Sequence, residues 1–186
     1  MEHLVENQRT LHLGPEHALG CVVYPAASLD TPGVVRHAYG NRFSLGEPNG
    51  TISARLTAVA AALGHADFDA PTQTNIRADI WTKLAANAAF NPVSVITGKT
   101  LGAMLDDPAT RALLERIMTE VIAVAAAFGV AVRLTPEELL VATRPLGDHK
   151  TSMLQDLQAG RPLELEFLSG AVVRLDGTSK LRVDGT

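Results

Sequence analysis

The stretch WTKLAANAAFNPVSVI, residues 81–96, decides how the rest of the chain is read. Leu84, Ala85, Ala86, Ala88 and Ala89 favour a helix, and Phe90 is compatible with one. Three polar residues interrupt this run at a spacing of four: Lys83, Asn87 and Asn91. A helix turns about 100° per residue, so a step of four drifts only about 40° and all three project from one narrow stripe. The rest of the helix surface is apolar, which predicts burial nearly all round. A lysine and two amides on such a helix must face solvent, one another or a ligand. Pro92 removes a backbone donor and biases Asn91 away from helical geometry, which predicts a kink. By itself the stretch fits two readings: a snorkelling lysine beside two ordinary helix asparagines, or a polar stripe that holds something.

Composition narrows the choice. The 186 residues suffice for one domain or one and a half, and 46% are apolar, enough for a sizeable core. Aromatics make up only 4%, so aliphatic residues and alanine must fill that core. Net charge is −4 and the basic residues are scattered, which argues against a phosphate-tracking nucleic-acid surface. The single cysteine, Cys21, excludes an internal disulfide and fits a reducing compartment. The longest apolar run, residues 121–132, falls short of the roughly 20 residues a membrane helix needs. The N-terminus carries no targeting pattern. A soluble, cytoplasmic protein is expected.

Taken in order, residues 1–17 are polar and weakly periodic, and residues 18–24 read as a buried strand ended by Pro25. Residues 34–39 and 42–45 read as a strand pair around Gly40-Asn41. Residues 51–63 read as an alanine-rich helix, capped by Thr51 or Asn49 and stopped by Gly64, with one more short strand over 66–69. After Pro71 strand signals almost vanish. The helix around Lys83 is expected over 74–95, with Gly98 and Gly102 bracketing a turn. A long helix capped by Asp106 or Asp107 runs to Phe128 before Gly129. Shorter helices are expected over 135–143, 151–158 and 164–174. The chain thus divides near residue 70 into a mixed α/β front, residues 1–70, and an all-α back, residues 71–175. The polar, glycine-bearing residues 176–186 read as an irregular tail.

Several chemistries are absent from the sequence. No Gly-x-Gly-x-x-Gly or Gly-x-x-x-x-Gly-Lys-Ser/Thr motif occurs, and the six histidines form no His-Glu-x-x-His. No metal site is expected. His149, Ser152 and Asp156 mimic a hydrolase triad in type, but neighbours on one helix rarely present triad geometry and no nucleophile elbow surrounds Ser152. The remaining polar block is HKTSMLQD, residues 149–156, followed by Arg161 and Glu164. It reads either as a capped amphipathic helix, with Thr151 or Ser152 capping, or as the second wall of a site facing Lys83. Hydroxyl, amide, ammonium and carboxylate groups together suit a small oxo acid. The ammonium can protonate an alkoxide as it forms, while amides and hydroxyls bind oxygens.

The two blocks together, Lys83-Leu-Ala-Ala-Asn87-x-x-x-Asn91-Pro92 and Ser152-Met-Leu-Gln-Asp156 with Arg161 and Glu164, resemble the ketopantoate reductase family, the NADPH-dependent 2-dehydropantoate 2-reductases. The segment from Gly33 to His37 and Gly46 looks like the end of that family's dinucleotide domain. The resemblance implies the C-terminal part of an NADP-binding Rossmann-type domain followed by an all-α 6-phosphogluconate-dehydrogenase-like domain. It implies reduction of 2-dehydropantoate to pantoate, in pantothenate and coenzyme A biosynthesis, with Lys83 as proton donor. Asn87, Asn91 and Ser152 would bind substrate, and Glu164 and Ala26 would lie toward NADPH. A further substrate-contacting asparagine of some members falls at Leu101. The chain starts after the family's Gly-rich loop, so an incomplete reductase is expected, with a homodimer left open. The rival readings are a reductase of another 2-oxo acid and a non-catalytic helical or dimerisation module.

Overall fold

A computed structural model describes residues 14–179 of the chain. Residues 1–13 and 180–186 lie outside the described residues, and with them most of the polar leader and the end of the expected tail. The chain divides into two units between Ile80 and Trp81, some way beyond the expected division near residue 70.

The first unit holds four strands, β1 (Gly20–Val23), β2 (Ala26–Thr31), β3 (Val34–Tyr39) and β4 (Phe43–Gly46), and the helix α1 (Ala54–His65). The expected pairing of β3 with β4 around Gly40-Asn41 does not occur. β3 pairs instead with β2, and β4 pairs antiparallel with β1, Gly20 opposite Gly46. Pro32-Gly33 makes the hairpin turn: proline presets φ and Gly33 takes φ +84°. Gly40 instead forms a corner, where an added Cβ would lie 3.2 Å from the Tyr24 carbonyl oxygen. Past that corner the Tyr24 N–H donates to the Arg42 carbonyl at 2.9 Å, which continues the β1–β4 ladder. β1 is buried on one face only, Val22 inward and Cys21 and Val23 outward, rather than wholly buried.

Residues 69–73 run parallel along the other side of β4. Phe43 N–H donates to Asp69 O at 2.7 Å, Leu45 N–H to Pro71 O at 3.0 Å, and Gln73 N–H to Leu45 O at 2.7 Å. The short strand expected over 66–69 is thus a ragged parallel edge, shifted along the chain. Where the glycine pair Gly20 and Gly46 meets, Ile76 fills the space. A Cβ on Gly46 would stand 2.6 Å from Ile76 Cβ, and one on Gly20 2.7 Å from Ile76 Cγ1. The cap of α1 is Ser53, not Thr51 or Asn49, and the helix passes through Gly64 to His65. Asn49 instead accepts from the Thr51 N–H and hydroxyl, a local turn that consumes both.

The second unit is helical. α2 (Ile76–Thr97) runs unbroken past Pro92; it starts two residues later and ends two residues later than expected. α3 (Leu101–Asp106) replaces the turn expected between Gly98 and Gly102, because Thr100 caps it by accepting from Ala103 N–H. α4 (Pro108–Ala127) starts from an Asp107 cap with Pro108 at its first position. α5 (Pro136–Thr143) starts from a reciprocal box between Thr135 and Glu138. α6 (Ser152–Gln158) follows a Thr151 cap.

α7 (Ser169–Ser179) begins later than expected and takes up the first residues of the supposed tail. The Glu164 carbonyl accepts from Phe167 and Leu168 N–H at 3.1 and 3.2 Å, which spends residues 165–168 on turns. α4 lies against α3, α5 and α7. Its Leu114, Met118, Val121, Val124 and Ala125 recur at three- and four-residue steps and form the core. Burial of Leu114 or Met118 stabilises by roughly 1.5–3 kcal/mol each.

Candidate functional site

On α2, Lys83 and Asn87 are half-buried and Asn91 is buried. Trp81, Thr82, Ala85, Ala88, Ala89, Phe90, Val93 and Ser94 around them are buried, so the stripe runs from the half-covered Lys83 and Asn87 into the enclosed Asn91. Thr82, beside Lys83 in the chain, accepts through its Oγ1 from the Arg133 N–H at 3.1 Å.

The second block joins this helix through two hydroxyls. Ser94 Oγ lies 2.7 Å from the Asn91 carbonyl and 2.5 Å from Thr151 Oγ1. A carbonyl only accepts, so the single Ser94 proton goes to Asn91. The Thr151 hydroxyl must then donate to Ser94. Thr151 Oγ1 in turn accepts from Leu154 N–H at 3.1 Å and so caps α6. Ser94 is fully enclosed, at 0% exposure, and Thr151 nearly so, which strengthens each bond and makes each one costly to lose.

The loop ahead of Thr151 is held just as closely. Leu101 and Gly102, the first residues of α3, donate to the carbonyls of His149 (3.0 Å) and Gly147 (2.6 Å). These N–H groups have no partner within their own helix, and the loop carbonyls satisfy them. Gly102 is required for this approach, since a Cβ there would meet the Gly147 oxygen at 3.0 Å.

Because Thr151 does the capping, the Ser152 hydroxyl stays outside the cap, on the exposed first residue of α6. No capping box forms on α6; Gln155 Nε2 donates to the Lys150 carbonyl at 2.9 Å instead. Arg161 bonds Asp156 through Nε at 2.8 Å and pins the turn at Gly160, so that pair is structural. Glu164 is exposed in the connection to α7. Ala26 opens β2 in the first unit, opposite Tyr39. The structure thus links Asn91 to the Ser152 segment and keeps Lys83 and Asn87 on the same helix side. Ser94 was not singled out in the sequence, because its partner lies 57 residues away. Among the described residues no group of three potential metal ligands occurs, and no helix is long and apolar enough to cross a membrane.

The family described as "Ketopantoate reductase PanE/ApbA C terminal" matches residues 75–183, which include α2, α6 and Glu164 but not Ala26. The chain belongs to the ketopantoate reductase family. It is 45% identical over 163 residues to a 2-dehydropantoate 2-reductase of Mesorhizobium japonicum, covering 88% of this chain and 50% of that protein. It is 34% identical over 157 residues to one from Halobacterium salinarum, covering 83% of this chain and 51% of the other. The crystal structure of 2-dehydropantoate 2-reductase from Methylococcus capsulatus superposes with a TM-score of 0.86 at 30% identity, over 96% of this chain and 58% of that one. The chain spans about half the length of the curated relatives it matches. Within the ketopantoate reductase family this is the helical domain with a mixed α/β segment ahead of it.

Proposed function

We propose that the chain carries the proton-donating and substrate-binding part of an NADPH-dependent 2-dehydropantoate 2-reductase. The observation that carries this reading is the coupling of Asn91 to the Ser152 segment through Ser94 and Thr151, on the helix that presents Lys83. In the proposed reaction Lys83 gives its ammonium proton to the C2 oxygen of the 2-oxo acid as that oxygen becomes an alkoxide. An ammonium is a far stronger acid than the alcohol formed, so this transfer runs downhill. Asn87 and Asn91 donate amide hydrogen bonds to substrate oxygens, and the Ser152 hydroxyl binds the carboxylate end. Asn91 is buried beside Ala88, which strengthens a bond made there.

NADPH is the proposed source of the hydride that reaches C2, with Glu164 and Ala26 toward it. The described residues do not make a cradle for its phosphates. Gly20 and Gly46 are filled by Ile76, an added Cβ on Gly50 would meet the Thr74 carbonyl oxygen at 2.5 Å, and no Gly-x-Gly-x-x-Gly exists in the sequence. The residues present therefore suit the oxo acid and its proton rather than the cofactor phosphates. A neighbour in fold, the dimeric ketopantoate reductase of Staphylococcus aureus, supports a homodimer as the proposed assembly.

The experiment follows NADPH oxidation with 2-dehydropantoate. It compares the chain alone with a chimera that adds the half of the Mesorhizobium japonicum relative not covered by the alignment. Turnover that disappears in Lys83→Ala supports the reading. Turnover that survives Lys83→Ala removes the proton-donor role, and turnover with a different 2-oxo acid only would reassign the substrate.

A further inference from the structure

We infer that Ser94 and Thr151 are positioning residues that fix the distance between the two substrate-binding residues Asn91 and Ser152. This rests on the assignment of Asn91 and Ser152 to the oxo acid. Four groups stand in one directed series: Leu154 N–H donates to Thr151 Oγ1, Thr151 O–H to Ser94 Oγ, and Ser94 O–H to the Asn91 carbonyl. Each hydroxyl donates once and accepts once, so neither can turn away without breaking two bonds. One end of the series is the residue that carries a substrate amide. The other spans the first turn of α6, whose first residue is Ser152.

Nothing else in α2 requires a hydroxyl at 94. A valine there would extend the apolar core formed by Phe90 and Val93, whereas serine buries a polar group at 0% exposure. The Ser94 bond to the carbonyl three residues back also falls in the turn where Pro92 has removed a backbone donor. Local geometry at Asn91 is thereby governed by a side chain that reports the position of α6. The loop carbonyls of Gly147 and His149, held by Gly102 and Leu101, fix the other approach to Thr151. The latch therefore couples two fixed bodies and is not a loose surface contact.

The test titrates 2-dehydropantoate by calorimetry into the wild-type chain, Ser94→Ala, Thr151→Ser, Ser152→Ala and the double variant Ser94→Ala/Ser152→Ala. Ser94→Ala keeps the α6 cap and loses the latch. It is expected to weaken binding about fivefold, the worth of one misplaced hydrogen bond. Thr151→Ser retains both hydroxyl functions and is expected to bind as wild type. In the Ser152→Ala background the Ser94 change is expected to add nothing, because the distance it sets no longer matters. A Ser94→Ala effect that is absent, or equal in both backgrounds, overturns the latch. A Ser152→Ala variant of unchanged affinity overturns the substrate assignment instead.

A second arm needs no ligand. In amide-resolved NMR of Ser94→Ala, Leu154 N–H stays protected from exchange while the Ser152 backbone and Asn91 side-chain signals shift. If those two signals stay in place, the latch is refuted whether or not the oxo acid binds.

Discussion

Ser94 Oγ lies 2.5 Å from Thr151 Oγ1, a buried contact between residues 57 apart in the chain. It is the point at which the lysine helix and the serine helix are made into one structure. Replacing Thr151 with valine removes the α6 cap and also leaves the enclosed Ser94 oxygen without its donor. The first loss costs about 1 kcal/mol and the second about 1 kcal/mol more. Thr151→Val is expected to lower the urea midpoint accordingly, while Thr151→Ser stays within about 0.5 kcal/mol of wild type.

Lys83 is assigned to chemistry rather than to stability. In the chimera, Lys83→Ala should reduce turnover by about 10²- to 10⁴-fold, the usual share of a general acid. Its urea unfolding curve should move by less than about 1 kcal/mol, because the lysine is only half-buried. Steady-state rates and denaturation on the same preparation check both halves.

Gly102 allows α3 to sit against the 147–149 loop. An alanine there would put a Cβ 3.0 Å from the Gly147 oxygen and 3.1 Å from its carbonyl carbon, both rigid backbone. Gly102→Ala is expected to cost about 1–3 kcal/mol and to weaken 2-dehydropantoate binding, because the loop leads directly into Thr151. Calorimetric titration beside thermal unfolding measures both. A stable variant with unchanged affinity would show that the loop has room to shift.

Glu47 gives the first unit a pH dependence. Its buried carboxylate accepts from Arg55 Nε at 2.7 Å and from the Ser53 hydroxyl at 2.5 Å. The Arg55 hydrogen bond, then the Ser53 one, lowers its pKa from the ordinary 4.5 to about 2. A carboxyl held more acidic in the folded state stabilises the fold above its unfolded pKa, and that contribution fades as pH falls from about 4.5 toward 2. Glu47→Gln should therefore be less stable than wild type at neutral pH and should lose less on acidification. Urea midpoints from pH 7 to pH 2.5 will follow the two curves as they converge.

Much of the helical domain is legible in the sequence, and for local reasons. Asp107 before Pro108, Thr135 with Glu138, and Thr151 before an apolar run each act within four residues, so local sequence places the starts of α4, α5 and α6 to within a residue. The stripe of Lys83, Asn87 and Asn91 follows from helical spacing, whereas the enclosure of Asn91, with Lys83 and Asn87 only half-covered, comes from packing. The resemblance to ketopantoate reductases rests on the same two blocks and is supported over residues 75–183.

Tertiary structure decided what distance in the chain conceals. Gly40-Asn41 carries a hairpin's residue types, yet its strands take other partners, since Pro32-Gly33 turns more tightly and β1 offers β4 a ladder closed by Tyr24 and Arg42. α7 starts at Ser169 because the Glu164 carbonyl draws the following N–H groups into turns, a competition between backbone bonds that residue type does not reveal. Ser53 displaces Thr51 and Asn49 as the α1 cap, since Asn49 already holds the Thr51 N–H and hydroxyl. The sequence by itself determined the starts of α4, α5 and α6 and which residues of α2 share a face, because both depend on neighbours within one turn. Only the fold decided which hydroxyl meets which, since a buried hydrogen bond is chosen by whatever polar group packing brings within reach.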